Sequence, residues 1–260
     1  MKNSNKNIFE AFFKSTAYAI FSLSLFTTHA IAANITVLCS TALLEPLSAL
    51  IPEFELATGH KVAIAFKTTK GIVEQVRGGD GADIIIVGRD AAVDLEKTGK
   101  LLAGSRLDIG STSIGLAVRT GAPIPDISSV DAFKKTLLGA QTIAVSKSGL
   151  SGAHFMRVVE RLGITDEIRP KIKFLQGDGR TADFLAKGEA ELAVQFLSEL
   201  MGVQGSEVVG PFPSGIDNTI VLTSGIYAEA KEPAVASELI LFLRSNAIKP
   251  KMKKTGIDPL

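Results

Sequence analysis

A single cysteine, Cys39, and three histidines leave this 260-residue chain poor in metal-ligating side chains. One thiol cannot close an internal disulfide, and a lone cysteine in an apolar run cannot build a cysteine-based zinc site. Neither sign of charge is in excess. The 28 basic and 27 acidic residues give a formal charge of +1, which argues against a polyanion such as nucleic acid as a partner. Common catalytic signatures are missing: there is no Gly-x-Ser-x-Gly elbow, no Walker loop and no His-Glu-x-x-His. Gly177-Asp178-Gly179 is too short for a dinucleotide fingerprint, and Asp83 and Asp90 on either side of one strand do not alone make a glycosidase pair. Short tandem repeats and aromatic runs are absent too, so an adhesive or structural module has no support. Nothing in the sequence calls for a metal or a cofactor.

Long apolar runs are also scarce. The one at about residues 17–26 is broken by serine and is too short to cross ~30 Å of hydrocarbon. Lys2, Lys6 and Lys14 precede it, and Ala30, Ile31 and Ala32 follow as small residues of the kind found at a signal-peptidase site. Residues 1–32 therefore read as a cleavable secretory signal, and the mature chain as a soluble periplasmic protein. Cys39 lies beyond that site without a lipoprotein pattern before it, so no lipid anchor is expected. Removing the three lysines and Glu10 takes the formal charge from one positive to one negative.

The whole chain is 46% hydrophobic and 21% charged, enough for a sizeable core. Short β-rich apolar runs alternate with segments of helical period, the pattern of parallel strands joined by crossover helices. Strands are expected at 35–39, 61–66 and 82–88, with helices between them. Gly59 supplies a left-handed cap for the first helix, and Gly78 and Gly79 stop the second. A long strand over 109–118 can carry the chain into a second βα series: strands 142–145, 171–175 and 192–195, helices 151–162 and 181–187. A strand over 219–226 and an amphipathic helix over 232–245 complete the reading. The fold class is α/β, with two Rossmann-like lobes. Lobe I is residues 33–112 plus 222–260, and lobe II is 113–221.

Ligands in open α/β sheets lie beyond the carboxyl ends of the strands, so the cleft between the lobes is the expected site. Ser40 and Thr41 follow the first strand without an immediate helix to cap. Thr69 and Ser151 stand at helix starts, where each is either a cap or an anion ligand. Gly152, in the Ser148–His154 glycine-serine loop, lets backbone approach a ligand. Lys70, Arg89, His154 and Arg180 fall in loops expected to face the cleft, and the guanidinium of Arg180 suits a carboxylate. His154 sits in the first helical turn, where the dipole favours a neutral, proton-accepting ring; the alternative is an ordinary hydrogen-bonded helix residue. Gln195 ends a strand at the same cleft.

The stretches ITVLCSTAL (35–43), EFELATGHKV (53–62), GGDGADIII (78–86) and MKKTGIDPL (252–260) resemble the periplasmic molybdate-binding-like family of type II solute-binding proteins, the receptors of ABC importers. The resemblance spans the whole mature chain. It implies two lobes, a hinge with two crossings, one small anion closed between the lobes, membrane subunits of an importer as partners, and a monomer. Members that hold molybdate present serines where this chain has Ala42 and Thr69, and a tyrosine near Gln195, where this chain reads Gln195-Phe196-Leu197. With Lys70, His154 and Arg180 added, a di- or tricarboxylate such as aconitate fits the expected pocket better than molybdate. The same scaffold is similar to that of periplasmic aconitate isomerase. In that alternative the cations stabilise dienolate-like charge, and His154 moves a proton between carbons, interconverting trans- and cis-aconitate without a cofactor.

Overall fold

The computed structural model describes residues 32–260; the expected signal segment lies outside the described residues but for its last position. Chain order is β1 (Asn34–Ser40), α1 (Leu44–Thr58), β2 (Lys61–Lys67), α2 (Thr69–Arg77), β3 (Ile84–Gly88), α3 (Arg89–Lys97), β4 (Leu107–Arg119), α4 (Val130–Gly139), β5 (Ile143–Ser146) and α5 (Leu150–Arg161). Then come α6 (Thr165–Ile168), β6 (Ile172–Leu175), α7 (Ala182–Ala186), β7 (Leu192–Phe196), α8 (Leu197–Leu200), β8 (Ser206–Pro211), β9 (Thr219–Ile226), α9 (Pro233–Leu243), α10 (Lys249–Lys253) and β10 (Asp258–Pro259).

The strands run in the order β2-β1-β3-β9-β4-β7-β5-β6, with β8 and β10 also paired to β4. Strands β2, β1 and β3 are mutually parallel, as are β6, β5 and β7. β4 serves both groups. Its first half, to Ser113, pairs antiparallel with β9, and from Ile114 onward it pairs with β7 and β8. The Ile114 N–H donates to the Asn218 carbonyl at 3.0 Å, so both chain crossings between the two groups lie side by side. This is the two-lobed α/β fold.

Strands β3, β5 and β7 are buried at every position, as central parallel strands covered on both faces must be. The edge strand β2 alternates, and its lysines reach solvent. Helix α1 lays Leu47, Leu50, Ile51 and Phe54 on the core and ends at Gly59, whose φ of 78° is the left-handed cap the sequence predicts. Asp83 is structural. Burial pushes its carboxyl up, but hydrogen bonds from the N–H and hydroxyl of Thr36 (both 2.8 Å) and from the Lys231 and Glu232 N–H groups hold it below the usual range. It thereby ties β1 to the start of α9. His60, buried after α1, accepts at Nδ1 from the Ala33 N–H at 3.0 Å.

Several elements lie outside the sequence reading, among them α4, β8 and α10. α4 carries readable signals, a Ser129 cap accepting from the Ala132 N–H and buried Phe133 and Leu137. β8 is short, half-buried and ends at a proline, so it has no strand period to detect. α10 is a single turn begun by Pro250.

Candidate functional site

Loops after the carboxyl ends of β1, β2, β5, β6 and β7 meet around one small cavity, lined by Ser40, Thr41, Thr69, Ser146, Ser151 and Gln195 together with backbone at Gly149, Gly177 and Gly179. Its volume is about 20 Å³. That is room for one compact polar group, since a single water needs roughly 10–15 Å³ on the same measure.

The donors come mainly from helix starts. Thr68, not Thr69, caps α2: its hydroxyl accepts from the Gly71 N–H at 3.3 Å. Thr69 is therefore the first helical residue, and the N–H groups of Thr69 and Lys70 have no intrahelical carbonyl. At α5 the cap residue is Gly149, whose own N–H donates to the Ser146 hydroxyl at 3.0 Å. The first intrahelical bond is from the Ala153 N–H to the Gly149 carbonyl, which leaves the N–H groups of Leu150, Ser151 and Gly152 available to an anion. Ser40 caps the 3₁₀ turn Thr41–Leu43, accepting from the Ala42 N–H at 3.4 Å. The buried Cys39 thiol lies beneath it and donates to the Ser40 carbonyl; burial pushes its pKa up, so it stays an inert thiol.

Of the residues singled out from sequence, Ser40, Thr41, Thr69, Ser151 and Gln195 are brought together here. Gln195 is a positioning residue. Its Oε1 accepts from the Thr181 N–H (2.7 Å) and hydroxyl (3.0 Å), and its Nε2 donates to the Gly179 carbonyl (2.9 Å), fixing the 177–181 loop. Gly152 is a correction. A Cβ there would stand 1.8 Å from the Ser146 carbonyl oxygen, so the close approach its missing side chain permits is to β5, not to a ligand.

The cations do not converge, which corrects the expected positive pocket. Among the described residues no lysine, arginine or histidine lines this cavity. Lys70 points outward, with a 69% exposed side chain and its Nζ 3.8 Å from Glu74 one turn on. Arg89 pairs with Asp108 at 2.5 Å. His154 uses both ring nitrogens elsewhere: Nε2–H donates to the Ile216 carbonyl at 2.8 Å, and Nδ1 accepts from the Asn218 amide at 3.3 Å. It is a hydrogen-bonded helix residue facing a different groove. Arg180 pairs with Glu45 of α1, 135 positions away in the chain. Each of these side chains has a carboxylate or carbonyl partner outside the cavity wall or away from its centre of hydroxyls.

Two contacts close the cleft beside the Arg180–Glu45 pair. The Thr68 N–H donates to Asp178 at 2.7 Å. Thr41, after β1, also meets the carboxyl of Glu199 on α8.

Glu199 is the cavity residue that the sequence reading did not single out. It is the one ionisable side chain on the cavity wall among the described residues, and it is only 5% exposed. Burial pushes its pKa up to about 7, against opposing hydrogen bonds from the Thr41 hydroxyl, the Phe196 N–H and the Gln195 amide. The signal was available: an acid between Leu197 and Leu200, inside an apolar run, is placed for burial. A carboxyl of this pKa is half protonated near neutrality, able to donate to an anion or to take a proton.

A second, larger compartment of about 550 Å³ adjoins the first, with Thr69 and Leu150 lining both. Leu150 packs against Gly88 and forms the partition. Arg89, Asp90, Arg157 and Asn218 supply its polar wall, Ala153 and Ile220 its apolar one.

Comparison with known proteins agrees with this architecture. The family model of bacterial extracellular solute-binding proteins matches residues 35–258. Aconitate isomerase from a Pseudomonas species is 31% identical over 252 residues, 93% of this chain and 95% of that protein. The molybdate-binding protein ModA of Azotobacter vinelandii is 27% identical, over 86% of this chain and 90% of its own length. The solved periplasmic molybdate-binding protein of Azotobacter vinelandii superposes with a TM-score of 0.72 at 20% identity, covering 86% of this chain and 98% of that one, a likeness of fold. Two α/β lobes around a hydroxyl-lined cavity, and a family match across almost the whole described chain, make this protein a member of the bacterial extracellular solute-binding protein family.

Proposed function

We propose that the protein is a periplasmic receptor that delivers a small di- or tricarboxylate, aconitate being the type, to the membrane subunits of an ABC importer. Residues 1–32 are its export signal. Residues 33–112 with 222–260 form one lobe and 113–221 the other. The observation that carries this reading is the neutral cavity of about 20 Å³ at the starts of α2 and α5. Hydroxyls and backbone N–H groups there suit one anionic head group and have no competing carboxylate once Glu199 is protonated. The cavity takes one carboxylate and no more, and the compartment of about 550 Å³ beside it is available to the rest of the molecule. A bare tetrahedral oxyanion would leave that compartment without a role.

One observation favours a second reading, aconitate isomerase, and it is Glu199 rather than His154. As the carboxylate, Glu199 accepts a proton from the allylic CH₂, the C=C bond shifts by one position, and the protonated acid returns a proton to the former vinylic carbon. The N–H groups of α5 would then bear the dienolate-like charge. The Pseudomonas relative named as this enzyme supports the same reading.

Incubation of the purified protein with trans-aconitate, followed by proton NMR in deuterated water and by thermal shift, separates the two. The receptor reading expects a rise in melting temperature with no new vinylic signal and no exchange. Appearance of cis-aconitate establishes the isomerase. A melting shift with molybdate and none with any carboxylate overturns the carboxylate assignment.

A further inference from the structure

We propose that Arg157 forms an outer subsite, in the compartment beyond Leu150, that holds a second carboxylate of the ligand while the first sits in the hydroxyl cavity; this rests on the carboxylate-receptor reading above. The subsite follows from the geometry of one helix. Leu150, Ala153 and Arg157 stand at i, i+3 and i+7 on α5, one stripe, and all three line the larger compartment. The start of the same helix lines the small cavity. Arg157 lies ~9 Å along the axis from the first turn, and helical side chains lean back toward the N-terminus. The guanidinium therefore falls within the few ångströms that separate carboxylates on a three- to four-carbon chain. Carbon atoms between the two would pass over Leu150, Ala153 and Ile220.

The two arginines of this compartment are not equivalent. Arg89 is committed to Asp108, with Asp90 beside it. Arg157 has no carboxylate within ion-pair distance among the described residues, although Asp217 lines a neighbouring groove that Arg157 also borders. It is the compartment's uncommitted positive charge. A planar fork of donors with no protein partner suits a carboxylate better than an uncharged group. Asn218, held by His154, presents its amide on the same wall.

Calorimetric titration with trans-aconitate and with crotonate, a monocarboxylate carrying the same unsaturated head, tests this on the whole protein. Arg157→Ala is expected to weaken trans-aconitate binding by roughly 10- to 100-fold, the range for a hydrogen-bonded charge pair, and to leave crotonate affinity within about twofold. Arg157→Lys should recover part of the loss. Because Arg157 is exposed and has no ion-pair partner among the described residues, its variants should melt with the wild type. Equal loss for both ligands, or no loss for either, overturns the subsite while leaving the receptor standing. Wild-type protein that binds no carboxylate at all overturns both.

Discussion

Gly152→Ala is expected to destabilise the protein by about 3 kcal/mol or more and to abolish anion binding, although the change adds a single methyl group. The added Cβ would lie 1.8 Å from the Ser146 carbonyl oxygen, 2.9 Å from its carbon and 3.3 Å from Val145 Cγ1. Two of these atoms are backbone of β5, a strand paired on both sides, so no side-chain rotation relieves the clash. Helix α5 has to lift away from the sheet. In doing so it carries its free N–H groups and Ser151 out of the cavity, and it loosens Phe155, Val158 and Val159 from the core. The cost therefore appears in stability and in binding together. Gly139→Ala is the matched control: at the end of α4 its Cβ would meet nothing within 4 Å, and its stability should stay within about 1 kcal/mol of wild type. Urea denaturation of the two variants measures the difference.

The second large effect is a pH dependence centred on Glu199. In the folded protein its carboxyl titrates at about 7, against an ordinary value of 4.5. Between those values the folded state keeps a proton that the unfolded chain has lost. Stability is therefore full below about pH 4.5, falls as pH rises to about 7, and stays lower above it. The difference amounts to about 3 kcal/mol, the cost of ionising a carboxyl buried against the cavity wall. Glu199→Gln keeps the shape and removes the titration, so denaturation midpoints at pH 5 and pH 8 should differ for the wild type and agree for the variant. A wild type as stable at pH 8 as at pH 5 would mean that the carboxyl is already ionised or hydrated in the folded state. Asp83 and Asp108, both held below the usual carboxylate range, act with the opposite sign and only in stronger acid.

The fold was legible because central parallel strands and crossover helices leave periodic traces. The continuous Ile-Val run of β3 and the three-to-four-residue spacing of α1 each specify an element and its buried face. Carboxyl-end loops also followed from topology, which is why Ser40, Thr41, Thr69 and Ser151, expected in such loops, line one cavity. Side-chain direction was not legible. Lys70 turns to Glu74 one helical turn on, Arg180 reaches Glu45 from far along the chain, and His154 is taken by Ile216 and Asn218. A long cation in a cleft loop goes to the nearest carboxylate or carbonyl, and that partner is set by tertiary structure. Gly152 was misread for a related reason: a glycine marks a close approach without saying what approaches. Glu199 lies one turn past the strand end in a helix too short to leave a period, so its place between Leu197 and Leu200 was the one trace of its burial.

Calorimetric titration of trans-aconitate into two double variants tests the central claim, that one carboxylate is held by neutral donors between the lobes. Ser40→Ala/Ser151→Ala should lose affinity by tenfold or more, roughly one to two hydrogen bonds to a charged group, while Lys70→Ala/His154→Gln should bind within about twofold of wild type. Unchanged binding in the serine variant, with loss in the cationic one, would contradict the account.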